Sequence, residues 1–165
     1  MVNEAYLEVM VTRKTNPAVK VGQLVTAALT VFCVLLALMG FGLMLIGALL
    51  FGVASYVLGM YIFVEYEYTY VDKELQIDRI LGKSKRKRMA TLDLLQMEAM
   101  APLGSHQLGG YQSTGQKTLD YSSKEERQPE ERYLLCMKDG QYILEPGEQL
   151  VKILRNSFPR KIFTY

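Results

Sequence analysis

The residues of this 165-residue chain that are equipped for chemistry are mostly scattered. His106 is the only histidine, and it sits in a Gly- and Ser-rich stretch, 102–116, that reads as loop. Cys33 and Cys136 are the only cysteines, and they show no metal-ligand spacing with each other or with His106. The glycines at 104–115 lack the Gly-Lys-Ser/Thr ending that lets a loop cradle phosphate. No serine stands in a Gly-x-Ser-x-Gly turn. Glu125, Glu126, Glu130 and Glu131 crowd one charged segment, where solvation explains them. The pattern predicts no enzyme, no cofactor and no metal site.

One run does stand out. Lys83-Ser84-Lys85-Arg86-Lys87-Arg88 places five cations in six residues, in a chain whose net charge is only +2. Its natural chemistry is attraction to anionic lipid headgroups, about 1 kcal/mol for each basic residue near the surface and within a Debye length of about 8 Å. Lys83, Lys85, Arg86, Lys87 and Arg88 are therefore the candidate contacts to anionic lipid, nonspecific in kind. Nucleic acid is not expected, because no aromatic platform is interleaved with the charges.

The element that positions this run is an apolar block. Residues 21–64 contain no Asp, Glu, Lys, Arg or His. As one helix the block would be far longer than the roughly 20 residues that cross a bilayer. Two transmembrane helices, near 21–39 and 43–64, fit instead, joined at Gly40-Phe41-Gly42. On the second helix Ala48, Gly52, Ser55 and Gly59 recur at steps of four, three and four. They form a small-residue stripe, the candidate helix-packing face, turned to the first helix or to another copy. Arg13, Lys14 and Lys20 precede the block and the basic run follows it, whereas the connecting turn is uncharged. The positive-inside rule then puts a multi-pass protein in the cell membrane with both termini cytoplasmic. Ahead of the block, Tyr6, Leu7, Met10 and Val11 have helical spacing. They predict an amphipathic segment within 1–20, broken at Asn16-Pro17.

After the block the hydrophobic period changes to two. Tyr66, Tyr68 and Tyr70 alternate with Glu65, Glu67 and Thr69, which is a strand pattern, and the tyrosines are expected to pack the sheet. Asp72-Lys73-Glu74 reads as a turn, and 75–80 as a second strand ending at Gly82. Further strands are predicted at 89–100, whose Leu and Met content also permits a helix, and at 117–122, 132–138 and 141–144, the last two flanking the hairpin signal Asp139-Gly140. Segment 123–131 reads as a charged loop. Residues 146–157 carry an amphipathic helix with Leu150, Val151, Ile153 and Leu154 on one face.

This layout resembles the bacterial membrane-anchored proteins with a pleckstrin-homology-like (PH-like) domain, in which a two-helix transmembrane hairpin precedes the sheet. The residues carrying the likeness are Val64-Glu65-Tyr66-Glu67-Tyr68-Thr69, Leu75-Gln76-Ile77-Asp78, Arg86-Lys87-Arg88 and Leu144-Glu145-Pro146-Gly147-Glu148-Gln149-Leu150. The resemblance implies an α+β membrane protein: a transmembrane hairpin at 21–64, then a cytoplasmic PH-like domain at 65–165 built as an antiparallel sheet or barrel closed by a C-terminal helix. Familiar PH domains bind phosphoinositides through basic residues near their first hairpin. Here the first turn, Asp72-Lys73-Glu74, is net acidic. The expected function is a non-enzymatic interaction module at the cytoplasmic face, binding anionic lipid, a membrane-protein partner or its own copies. The alternative is an accessory subunit of a larger membrane transport or secretion complex.

Overall fold

The computed structural model describes residues 6–111, 117–125 and 131–163. Parts of segments 102–116 and 123–131 lie outside them. The elements are β1 (Leu7–Thr12), α1 (Pro17–Leu38), α2 (Met44–Ile62), β2 (Val64–Val71), β3 (Glu74–Leu81), β4 (Lys85–Asp93), β5 (Met97–Pro102), β6 (Thr118–Asp120), β7 (Tyr133–Met137), β8 (Gly140–Leu144) and α3 (Gly147–Ser157). They divide into two compact units. One holds residues 14–64 and 80–85, and the other holds 1–13, 65–79 and 86–165.

The helical unit begins at a strong start signal. The Asn16 side chain accepts a hydrogen bond from Ala18 N at 3.0 Å, and Pro17 takes the first helical position, where its missing N–H costs nothing. Helix α1 therefore starts four residues earlier than the apolar block. A turn at 39–43, with Gly40 at φ +105°, reverses the chain into α2. Both helices are long and apolar enough to cross a membrane, and only 6% of the most apolar stretch of each is buried.

The strand unit corrects the reading of the N-terminus. Residues 7–12 are not an amphipathic helix but strand β1, paired antiparallel with β2 from Leu7 opposite Tyr70 to Thr12 opposite Glu65. Leu7, Val9 and Val11 lie on one face and Glu8, Met10 and Thr12 on the other, the period of a strand. The β-branched valines favour it.

A barrel is the second expectation that fails. The strands form two separate four-stranded sheets, ordered β1-β2-β3-β4 and β5-β7-β8-β6. The single strand expected at 89–100 is in fact β4 and β5, in different sheets. Between them the Asp93 carboxylate accepts from Leu95 N at 2.9 Å and caps a short 3-10 turn at 94–96, which ends the strand. The sheets are not wholly antiparallel either, since β6 runs parallel to β8. The free side of β5 is covered by the chain end: Met100 N donates to Lys161 O and Phe163 N to Met100 O, both at 2.8 Å.

The core of this unit is the tyrosine face of β2, with Leu75 and Ile77 of β3, Leu135 and Leu144 of the second sheet, and Leu150 and Leu154 of α3, all buried. Tyr68 ties these parts together. Its hydroxyl donates to Tyr121 O at 2.6 Å and accepts from Glu145 N at 3.4 Å. Burial pushes its pKa well above the ordinary tyrosine value of 10.0. The neutral form is therefore favoured in the fold. Its contribution is complete below about pH 10, where unfolded tyrosine is also neutral, and is lost progressively as pH rises above that. Tyr68→Phe should lower stability at pH 7 by about 1–3 kcal/mol, because the Tyr121 carbonyl is left without its donor. It should also flatten the alkaline decline. Denaturant titrations of both proteins at pH 7 and pH 10.5 check both effects, and equal curves would contradict the assignment.

Candidate functional site

The basic run begins at the turn between β3 and β4. Gly82 and Lys83 both have positive φ, +56° and +59°, the pairing that a tight hairpin turn demands. Glycine takes that conformation freely, while Lys83 pays a steric penalty for it. The turn is packed on the end of α2. Gly82 N donates to Phe63 O at 2.8 Å, and a Cβ at Gly82 would lie 3.4 Å from Met60 Cγ. The Lys83 ammonium lies 5.6 Å from the centre of the Phe63 ring, within cation–π range.

The five candidate cations are not equivalent. Arg86 pairs with Glu67 of β2 at 2.5 Å, and the Glu67 side chain is only 4% exposed. Arg88 grips Asp78 of β3 with two hydrogen bonds, at 2.9 and 3.3 Å. The hydrogen bond to Asp78 raises the Arg88 guanidinium above its ordinary pKa. The strand period places Arg86 and Arg88 on one face of β4 and Lys85 and Lys87 on the other. Lys83, Lys85 and Lys87 are exposed and form no ion pair with a described residue. Sequence spacing alone does not pair these arginines with the two carboxylates. A signal is available in the strand period, since Glu67 and Asp78 both occupy the strand face away from the core residues Tyr66, Tyr68 and Ile77.

The small-residue stripe of α2 is also placed. Ala48 is buried. A Cβ at Gly52 would lie 3.6 Å from Thr30 Cγ2, and one at Gly59 would lie 3.2 Å from Gln23 Nε2. Both neighbours belong to α1 of the same chain. Gly47, outside the stripe, completes the seam, with Cys33 Sγ 3.3 Å from the position of its absent Cβ. Cys33 and Cys136 are both buried free thiols.

Where the seam meets the turn, a cleft of about 500 Å³ opens. Gln23, Ser55, Tyr56, Phe63 and Ser84 are among its walls, and Gly52 and Gly59 form its floor. Ser55 thus faces the cleft. A second cleft of about 610 Å³, in the strand unit, gathers Leu95, Glu98, Tyr111, Lys138 and Lys161. One of its lysines is already engaged, with Lys161 Nζ donating to Leu95 O at 3.0 Å. His106 is exposed, and among the described residues no group of His, Cys, Asp or Glu could hold a metal.

Neither the curated proteins nor the solved structures contain a match to this chain. A family model does match, over residues 3–164, and its description is bacterial PH-like domain (DUF6106). That match takes in β1, both apolar helices, the two sheets and α3, so the chain belongs to the bacterial PH-like domain family (DUF6106).

Proposed function

We propose that the protein is a non-enzymatic, membrane-anchored interaction module, with α1 and α2 spanning the bilayer as a hairpin and the PH-like domain held at the cytoplasmic face. The observation that carries this reading is the outward surface of the hairpin. Leu24, Val31, Leu35, Leu45, Leu49 and Val53 are all more than half exposed, on helices that carry Lys20 as their only charge. An apolar face of that extent is stable against hydrocarbon and costly against water. Lys14, Lys20, Lys83 and Lys85 all lie at the chain ends of the hairpin, and the 39–43 connection has no charge, which supports cytoplasmic termini.

Domains of the PH-like type are generally non-enzymatic, and their usual role as binding platforms supports the module reading. The partner is anionic lipid, met by Lys83, Lys85 and Lys87. Arg86 and Arg88 are left out of this set because their charges are neutralised within the sheet. An accessory subunit would need a helix face for another chain, and Gly52 and Gly59 of the small-residue stripe lie against α1 of the same chain, so no observation favours that alternative.

Alkaline carbonate extraction tests the anchor. The full chain should stay in the membrane pellet and be released only by detergent. Protease added to intact cells should leave the chain whole, and protease added after the membrane is opened should cut it. Recovery in the carbonate supernatant would refute the anchor, and cleavage in intact cells would refute the orientation.

A further inference from the structure

Several hydroxyls of the helical unit are satisfied within it: Thr15 Oγ1 donates to Ile62 O at 2.6 Å. Thr26 Oγ1 donates to Gly22 O at 2.9 Å, and Thr30 Oγ1 donates to Thr26 O at 2.8 Å. The latter two are satisfied on their own helix. The Gln23 amide and the hydroxyls of Ser55, Tyr56 and Ser84 form no hydrogen bond with any described residue, and all four line the same cleft. Gln23 and Ser55 are half-buried, whereas Tyr56 and Ser84 are exposed. An unsatisfied amide or hydroxyl is costly away from water, so the Gln23 and Ser55 groups call for an occupant, with Tyr56 and Ser84 free to meet it.

The walls define its chemistry. Gln23, Ser55, Tyr56 and Ser84 all offer donors, and among the described residues no carboxylate lines the cleft. The ammonium of Lys83 lies beside it, over Phe63, which together with Met60 forms an apolar wall. The Gln23 amide lies close over Gly59 of α2, where a Cβ would stand 3.2 Å from Nε2 and push the amide outward by a few tenths of an ångström. The cleft of about 500 Å³ thus presents apolar surface and neutral donors, with a cation over one of its walls. A glycerophospholipid is complementary to that set, with acyl chains for the wall, ester carbonyls that only accept, and a phosphate that only accepts.

We infer that this cleft is the seat of one anionic glycerophospholipid, its ester oxygens met by Gln23 and Ser55 and its phosphate by Ser84 and Lys83. This inference rests on the membrane-spanning reading of the hairpin. It differs from the nonspecific attraction of the basic run in being stoichiometric and in depending on uncharged side chains.

Native mass spectrometry of the full chain in mild detergent tests it, with dioleoylphosphatidylglycerol, dioleoylphosphatidylcholine or glycerol 3-phosphate added. One phosphatidylglycerol should be retained per chain. Phosphatidylcholine should be retained at least about tenfold more weakly, and glycerol 3-phosphate not at all. The double variant Gln23→Leu/Ser84→Ala should lose about tenfold in phosphatidylglycerol affinity, equivalent to about 1.4 kcal/mol. Thr26→Val, which removes a self-satisfied hydroxyl outside the cleft, should lose nothing. Equal retention by wild type and double variant overturns the seat. So does equal binding of glycerol 3-phosphate, which would make it an anion site, or a lipid-free dimer that the double variant dissolves, which would make the occupant a second copy. Carbonate extraction of the same samples separates the two proposals. A pelleted chain without specific lipid refutes only the seat, whereas a chain in the supernatant refutes the anchor as well.

Discussion

A chain in which residues 14–63 are replaced by Asn-Gly is expected to be soluble without detergent and to melt cooperatively. The register of β1 on β2 is the reason. Thr12 stands opposite Glu65, so Arg13 and Val64 are the next positions of the same ladder. A two-residue Asn-Gly turn closes such a ladder with the twist that strands prefer. In chain order, then, the apolar helices are an insertion into the turn of a β-hairpin. The splice keeps Arg13, whose guanidinium donates to the Tyr66 hydroxyl at 2.5 Å and lies 5.6 Å from the Tyr66 ring centre. A fragment starting at Glu65 is expected to behave in the opposite way. It loses β1 and leaves the backbone of β2 open along a row of tyrosines, a template for aggregation. It also loses Val11, which is 7% exposed and whose burial is worth roughly 1.5–3 kcal/mol. That is a large share of the roughly 5–15 kcal/mol that holds a domain together. Circular dichroism melting and sedimentation of both proteins decide the matter. If the splice is insoluble, or melts no higher than the fragment, β1 is not part of the domain.

The contrast between these two proteins shows where the sequence was legible. The apolar block, its glycine turn and the alternation of Tyr66, Tyr68 and Tyr70 are long, strong periodic signals, and they read correctly as two helices and a strand. Strand β1 was hidden because six residues are too few for either period to dominate. Leu7, Met10 and Val11 match a helix face, and Leu7, Val9 and Val11 match a strand equally well. Tertiary pairing with β2 selects the second pattern. The division of 89–100 depends on one side chain, the Asp93 cap, which propensity does not weigh. The sheets stay separate for a reason no strand pattern carries, namely which edges end up covered.

The site was half legible for the same kind of reason. Charge composition pointed to 83–88, and the small residues of α2 pointed to a seam. That Arg86 and Arg88 spend their charge on Glu67 and Asp78 depends on which face of β4 they occupy and on which strands lie beside it. The cleft is less legible still. Gln23, Ser55 and Ser84 come from three segments distant in the chain, and each alone is an ordinary polar residue.

The division among the five cations leads to the second large effect. Replacing Lys83, Lys85 and Lys87 by Gln in the spliced domain should weaken its binding to phosphatidylglycerol vesicles by roughly a hundredfold. Each lysine near an anionic surface contributes about 1 kcal/mol, and about 1.4 kcal/mol is a factor of ten. Binding should also fall steeply with added salt, since these charges are exposed and the Debye length shrinks to about 3 Å at 1 M. Arg86→Gln/Arg88→Gln removes nearly as much charge but should act differently. It leaves Glu67 and Asp78, both buried, without their cations, and a carboxylate stranded in that way destabilises the sheet. The arginine variant should therefore melt lower, with a vesicle affinity much closer to the parent's while it stays folded. The lysine variant should melt like the parent and bind far more weakly. Vesicle sedimentation at two salt concentrations, paired with melting curves, distinguishes the two sets. An arginine variant that melts normally and loses as much binding as the lysine variant would show that all five cations face the lipid, and the ion pairs would then have no part in sorting them.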